Sequence, residues 1–276
     1  MIFATSDLHY GLDPEGDRSV RALARKVTET ACESDVLALV GDLGSDDDSV
    51  QRCLDLFGDF PGEVVAVAGN HDIWVAPGDD SWARLARVQK FFRQAGFHPL
   101  EDGPKMVGDT AFVGTIGWYD YSFRDDIGVP IEHYREKSLP GGRAMWGDAV
   151  HARWSTSDEE MTRHFASRLE NHLELVRDAR NIVAFVHHVP TKDLLFHPRW
   201  FIPREWRFLN AFLGSEWFAD LLRRHSAVTD VVCGHIHRAA AVRRGVKRFV
   251  SIGGNYREKQ LVTLDGANLR RQTFRP

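Results

Sequence analysis

Val64-Val65-Ala66-Val67-Ala68-Gly69-Asn70-His71-Asp72 is the stretch whose reading decides the fold. A β-branched, apolar run predicts a buried strand, and the glycine that ends it opens onto an amide, an imidazole and a carboxylate. By itself Gly-Asn is also ordinary turn chemistry. The same pattern recurs along the chain. Asp7-Leu8-His9 follows Ile2-Phe3-Ala4, and Gly41-Asp42 follows Val36-Leu37-Ala38-Leu39-Val40. His187-His188 follows Ile182-Val183-Ala184-Phe185-Val186, and Gly234-His235-Ile236-His237 follows Val231-Val232-Cys233. Five apolar runs thus end in side chains able to bind metal.

The chain has 276 residues, 43% hydrophobic and 27% charged, with a formal net charge of −4. That length can bury the core of one large α/β domain, and the composition is that of a globular protein. The negative balance gives no electrostatic reason to expect nucleic acid or an anionic membrane as partner. Three cysteines, Cys32, Cys53 and Cys233, form no Cys-x-x-Cys pair. The odd count points to a reducing compartment without a disulfide framework. Cys233 precedes His235 by two residues, and strand alternation makes it a buried thiol rather than a ligand. With no signal-like or membrane-spanning segment in view, the expected location is the cytoplasm.

Taken in order, Met1 to Val67 reads strand, helix, strand, helix, strand, the helices being Arg18–Glu33 and Ser49–Phe57. Asp46, Asp47 and Asp48 suit the N-terminus of the second helix better than a metal site. Such alternation predicts a parallel sheet with Asp7, Asp42 and Asn70 at its carboxyl edge, where ligands of open α/β sheets bind. Ser81 is the expected cap of a helix ending at Gly96, and strands follow at 105–107 and 110–117. Ser157 and Glu160 form a capping box that opens a helix with Met161, Phe165, Leu169 and Val176 inward. The aromatic, aperiodic stretch from Trp118 to Trp154 reads as an ordered insertion near the site. Phe196 to Phe218, with Trp200, Phe201, Trp206 and Phe212, reads as core or as a lid. After His237 the pattern reads as an antiparallel meander turning at Gly245 and Gly266. No internal boundary is visible. The expectation is a single domain over 1–276, with 118–156 and 191–217 as insertions or a lid.

The ordered set Asp-x-His, Gly-Asp, Gly-Asn-His-Asp, His and Gly-His-x-His resembles the calcineurin-like metallophosphoesterase superfamily, and it spans positions 7 to 237. The resemblance implies the α/β fold class of that superfamily, a four-layer α/β/β/α sandwich of mixed sheets. It implies two metal ions bridged by Asp42. Asp7, His9 and His237 would hold one ion, and Asn70, His235 and the His187/His188 position the other. Counting outward from the strand favours His187 as ligand, leaving His188 against substrate or core. The family's frequent His-x-Pro pattern favours His188, since Pro190 follows Val189. Oxygen and imidazole donors suit Mn, Fe or Zn.

The chemistry expected of such a centre is attack on phosphorus by a hydroxide bridging two ions. His71, next to a ligand, suits a general acid, and Asp72 suits the partner that fixes its ring. Tyr10 is a further candidate at the substrate, and Tyr119, Asp120 and Arg124 are candidates by neighbourhood. A small phosphoester, with a nucleotide among the candidates, is the expected partner. A phosphoprotein phosphatase is the alternative. A nuclease is disfavoured by the absence of a basic stripe, and a non-catalytic scaffold by the complete ligand set.

Overall fold

The computed structural model of the protein describes residues 1–142, 144–196 and 202–276, and Trp200 and Phe201 lie outside them. Strands β1 (Ile2–Thr5), β2 (Val36–Val40), β3 (Glu63–Val67) and β4 (His98–Pro99) lie parallel in the first sheet. Its connecting helices are α1 (Pro14–Thr30), α2 (Asp47–Asp55) and α3 (Ser81–Gln94). The second sheet begins with β5 (Lys105–Val107) and β6 (Thr110–Thr115), then continues with β7 (Asn181–Val186) and β8 (Val228–Cys233). Between β6 and β7 come α4 (Ile131–Arg135), α5 (Asp148–His151) and α6 (Asp158–Leu175). Helices α7 (Arg204–Leu209) and α8 (Glu216–Arg224) precede β8. Two hairpins, β9 (Ala240–Arg244) with β10 (Lys247–Ser251) and β11 (Lys259–Asp265) with β12 (Asn268–Phe274), complete the chain. The strand orders are β12-β11-β1-β2-β3-β4 and β5-β6-β7-β8-β10-β9.

Alternation along each strand produces the layers. Val36, Ala38 and Val40 of β2 pack with Phe112, Val183, Phe185, Val232 and Val250 of the second sheet, forming an inner core between sheets. Leu37 and Leu39, one residue out of phase, join the larger core with Val20, Leu23 and Val27 of α1. Strands buried on both faces read as unbroken apolar runs, which is why the sequence pattern is so legible here. The result is the four-layer α/β/β/α sandwich.

Several expectations are corrected. Helix α1 starts at Pro14 rather than Arg18, because Asp13 caps it by accepting the Glu15 N–H at 2.8 Å. Helix α2 starts at Asp47, with Asp46 and Ser49 in a reciprocal capping box, so the acidic run serves the helix terminus. Asp80, not Ser81, caps α3, while the Ser81 hydroxyl donates to the Ile73 carbonyl at 3.0 Å. The C-terminal meander is two separate hairpins. β10 runs parallel to β8 in the second sheet, whereas β11 runs antiparallel to β1 in the first. The chain crosses between sheets through Gly253 and Gly254, both at positive φ. The second sheet is therefore parallel through β6, β7, β8 and β10, and not an antiparallel half.

The aromatic insertion is ordered by two buried carboxylates. Asp158, the first residue of α6, accepts from Trp118 Nε1 at 2.7 Å, from the Tyr121 hydroxyl and from Lys137 Nζ at 2.6 Å. Asp148 does the same nearer the site. Of the 196–218 segment, Phe208, Phe212 and Phe218 are core, whereas Phe196, Trp206 and Trp217 are exposed. No described helix is long and apolar enough to cross a membrane.

Glu101, just past β4, is buried, and its Oε1 accepts the Ile116 N–H at 3.0 Å, while Oε2 has no hydrogen-bond partner at normal distance among the described residues. Burial pushes its carboxyl from the ordinary 4.5 up to about 7. The folded state therefore binds a proton that the unfolded chain has released, so stability is full below about pH 4.5 and falls as pH rises through about 7. Glu101→Gln, which mimics the protonated form, is expected to reduce the fall in melting temperature between pH 5 and 8. An unchanged slope in thermal unfolding would place that pH dependence elsewhere.

Candidate metal centre

The loops after β1 and β2 run side by side, with Asp7, His9 and Tyr10 N–H groups donating to the Gly41, Asp42 and Leu43 carbonyls at 2.8–3.0 Å. Asp72 pins this pair to the loop after β3. Its Oδ2 accepts from the Asp42 and Gly69 N–H groups at 2.8 Å, and its Oδ1 from Leu43 at 2.8 Å and Gly44 at 3.1 Å. Two motif glycines are explained by crowding: a Cβ on Gly41, at φ +82°, would lie 2.5 Å from His187 Nδ1, and one on Gly69 would strike the Asp42 side chain. The sheets meet where the His235 N–H donates to Asp7 Oδ1 at 3.0 Å.

Three overlapping groups of donor atoms result: Asp7, His9 and His237; His9, Asp42 and His71; and Asp42, His187 and His235. His9 Nε2 and His237 Nε2 face each other at 3.2 Å, with Asp7 Oδ1 3.4 Å from His237 Nε2. On the other side, Asn70 Oδ1 lies 3.4 Å from His187 Nε2 and 3.1 Å from His235 Nδ1. Asp42 Oδ2 stands between, 3.8 Å from His9 Nε2 and 3.4 Å from His187 Nε2.

Five of these residues, Asp7, His9, Asp42, His235 and His237, have φ between 44° and 70°. The left-handed region is costly for side-chain-bearing residues, and such outliers gather at functional sites. Here the conformation turns each side chain off its strand end toward one centre. Burial holds His9 and His235 well below the ordinary imidazole range, so both are neutral donors. Burial also opposes charge on His187, but the Asp42 carboxylate overrides it and raises the imidazole to about 9. That proton stands where a cation would neutralise Asp42. Convergent neutral imidazole nitrogens, two carboxylates and an amide oxygen fit divalent cations.

His187 enters the donor groups because its Nδ1 faces the Val40 carbonyl at 2.8 Å, turning Nε2 toward Asp42. His188 points away, its Nδ1 at 2.9 Å from the Ile116 carbonyl and its ring against Trp118 and His235. His71 stacks on Trp74 with centroids 3.7 Å apart and touches His9 edge-on. The expectation that Asp72 fixes the His71 ring is corrected: its carboxylate is committed to four main-chain donors. Tyr10 is corrected too. It is buried beside Arg21, whose guanidinium donates to its hydroxyl at 2.5 Å, and it does not face the centre. Tyr119, Asp120 and Arg124 likewise lie outside the cavity lining described below.

Asp148, which no motif marks, is the residue the sequence reading missed. Its Oδ1 accepts from Asn70 Nδ2 at 3.0 Å and Trp74 Nε1 at 2.7 Å, and its Oδ2 from Tyr119 Oη at 3.1 Å and Trp146 Nε1 at 2.7 Å. An ionised carboxylate only accepts, so it takes the Asn70 NH2 group and leaves Oδ1 facing His187 and His235. Through Trp74 it also fixes the surface on which His71 stacks.

Beside the donor groups lies a cavity of about 540 Å³. Asp42, Asn70, His71, His235 and His237 form its floor, and Trp146, Leu195, Phe196, Ile202, Trp206, Leu209, Leu213, Ile236 and Tyr256 are among the residues of its walls.

A family profile described as calcineurin-like phosphoesterase matches residues 1–239. No curated protein matches the chain by sequence. Among solved structures, a phosphopantetheinyl hydrolase from Mycobacterium tuberculosis superposes with a TM-score of 0.73 at 20% identity, over 93% of this chain and 89% of that one. A dimetal phosphatase from Danio rerio superposes with a TM-score of 0.60 at 11% identity, over 99% of this chain and 95% of that one. At these identities the likeness is one of fold.

Two substitutions separate the anchoring roles. Asp72→Ala strands buried main-chain donors at about 1–3 kcal/mol each, so a loss of roughly 3 kcal/mol or more in chemical denaturation is expected. A variant as stable as the parent would contradict that anchoring. Asp148→Asn turns a donor toward the Asn70 amide, and the folded protein is expected to bind one ion at least tenfold more weakly by calorimetry. Undiminished affinity for both ions would show that Asn70 is oriented without it.

Proposed function

We propose, since the chain belongs to the calcineurin-like phosphoesterase family, that its centre holds two metal ions and hydrolyses a small phosphoester. The protein is a metallophosphoesterase, a hydrolase. The residue roles that follow are our reading of the geometry. One observation carries them: Asp42 Oδ2 stands between the His9 and His187 Nε2 atoms, at 3.8 and 3.4 Å.

Asp7, His9 and His237 would hold one ion, and Asn70, His187 and His235 the other, with Asp42 shared. Asn70 adds an oxygen without adding charge, which limits repulsion of an anionic phosphate. When bound, such a pair supplies hydroxide near neutral pH by lowering the pKa of bound water to about 7, and neutralises the phosphoryl oxygens.

His71 borders both the donor groups and the cavity. Its main-chain N–H donates to Asp42 Oδ1 at 2.9 Å, which places its ring beside any phosphate above Asp42. Packed flat on Trp74, it would deliver a ring proton to the departing alkoxide oxygen. His188, turned to the Ile116 carbonyl, supports the ring of His235 and takes no part in substrate binding. The whole chain acts as one catalytic unit on this reading, with 118–156 and 191–217 shaping the substrate side.

Elemental analysis with hydrolysis of bis-p-nitrophenyl phosphate and p-nitrophenyl phosphate under added Mn tests this. About two ions per chain are expected for the parent, fewer for Asp42→Asn, and undiminished content with a 10²–10⁴-fold loss of kcat for His71→Ala. Hydrolysis that survives Asp42→Asn, or a protein that takes up no ion, would overturn the assignment.

A further inference from the structure

The walls of the cavity carry information that the donor groups do not. Its volume, about 540 Å³, lies in the range of small-molecule sites, and aromatic and aliphatic side chains dominate its walls above the floor. Arg238 is the one Lys or Arg among the described lining residues. Its Nη1 already donates to the Leu194 and Leu195 carbonyls, at 2.9 and 3.2 Å, and its guanidinium lies 5.2 Å from the Phe196 ring centroid. Lys259, buried beside Asp7, donates to the Asp7 and Asn255 carbonyls and is not among the described lining residues.

Resting on the phosphoesterase reading, we infer that the substrate is a singly charged phosphodiester, one ester group of which is apolar or aromatic and lies between Trp206, Phe196, Leu213 and Ile236. A nucleoside polyphosphate needs cations to neutralise its further charges, and the described lining residues offer none beyond an Arg238 already engaged. A phosphopeptide presents main-chain N–H and C=O groups, and leaving these unpaired against Leu, Ile and Phe side chains is unfavourable. An alkyl or aryl group meets neither obstacle. Trp206 and Phe196 are 61% and 53% exposed, so both have apolar surface that such a group would take out of water.

Ligands without a cleavable ester test this on the Mn-loaded protein. n-Alkyl(methyl)phosphinates are stable monoanions, and n-alkylphosphonates of the same length are dianions at pH 8.5. By calorimetry, the phosphinate dissociation constant is expected to fall about fourfold per added methylene from ethyl to hexyl. At each length the phosphinate should bind more tightly than the phosphonate. Trp206→Ala and Phe196→Ala, both at exposed positions, should flatten the gradient. Trp217→Ala, an exposed tryptophan outside this cavity, should keep it. A gradient that is flat in the parent or intact in both cavity variants overturns the apolar assignment, and tighter phosphonates overturn the diester assignment. Turnover of bis-p-nitrophenyl phosphate, run in parallel, keeps the two readings apart. A flat series with turnover removes the substrate inference alone, whereas a steep series without turnover removes the hydrolase.

Discussion

The carboxylate of Asp72 gathers the main-chain N–H groups of Asp42, Leu43, Gly44 and Gly69, and the centre depends on that gathering. Loops after parallel strands have no ladder to hold them, so their backbone donors must find other acceptors. A single buried carboxylate satisfies four and thereby fixes the spacing between the strand-end loops that carry Asp42 and Asn70. Burial raises it to about 7, with Asp42 adding to the effect, and the hydrogen bonds oppose that rise. The motif aspartate acts on the frame of the site.

On that frame the left-handed backbone at Asp7, His9, Asp42, His235 and His237 does the aiming. An extended strand would send alternate side chains to opposite faces. A positive φ at each strand end bends the donors inward instead. The conformational cost concentrates where two sheets meet, and the His235 N–H bond to Asp7 joins them there. A site shared between sheets explains why the C-terminal chain must cross from one to the other: β10 lies beside β8, and β11 then returns to β1.

A second carboxylate organises what stands around the donors. Asp148 collects an amide, two indole N–H groups and a phenol, and so couples Asn70, the Trp74 platform under His71 and the Trp146 wall of the cavity. The aromatic insertion is thus bonded to the centre it borders. Among the described residues, the cavity walls come from Trp146 of that insertion, from Leu195, Phe196 and the stretch 202–213, and from Ile236 and Tyr256. Most of the cavity wall therefore comes from segments other than the strand-end loops that carry the donors.

Much of this was legible beforehand. The apolar runs ending at Asp7, Asp42, Asn70, His187 and His235 are readable because strands buried on both faces leave unbroken hydrophobic stretches, and donors at their ends stand out. The capping box at Ser157 and Glu160 is equally local, and it is present as read. What failed was what depends on distance in space. The neighbour His71 suggests a role for Asp72, yet three of its four partners, Asp42, Leu43 and Gly44, lie in another loop. Proximity to His9 suggests Tyr10 at the substrate, but one residue further along the side chain turns into the core. The two C-terminal hairpins were correctly turned and wrongly joined, since turn residues encode local geometry and not the sheet a strand enters. Asp148 carries no signal in a stretch without periodicity. The sequence alone determined the strands, the donors and their order, because these are written in short-range pattern. Only the tertiary structure decided which groups meet, because hydrogen bonds between distant loops depend on packing that no local pattern records.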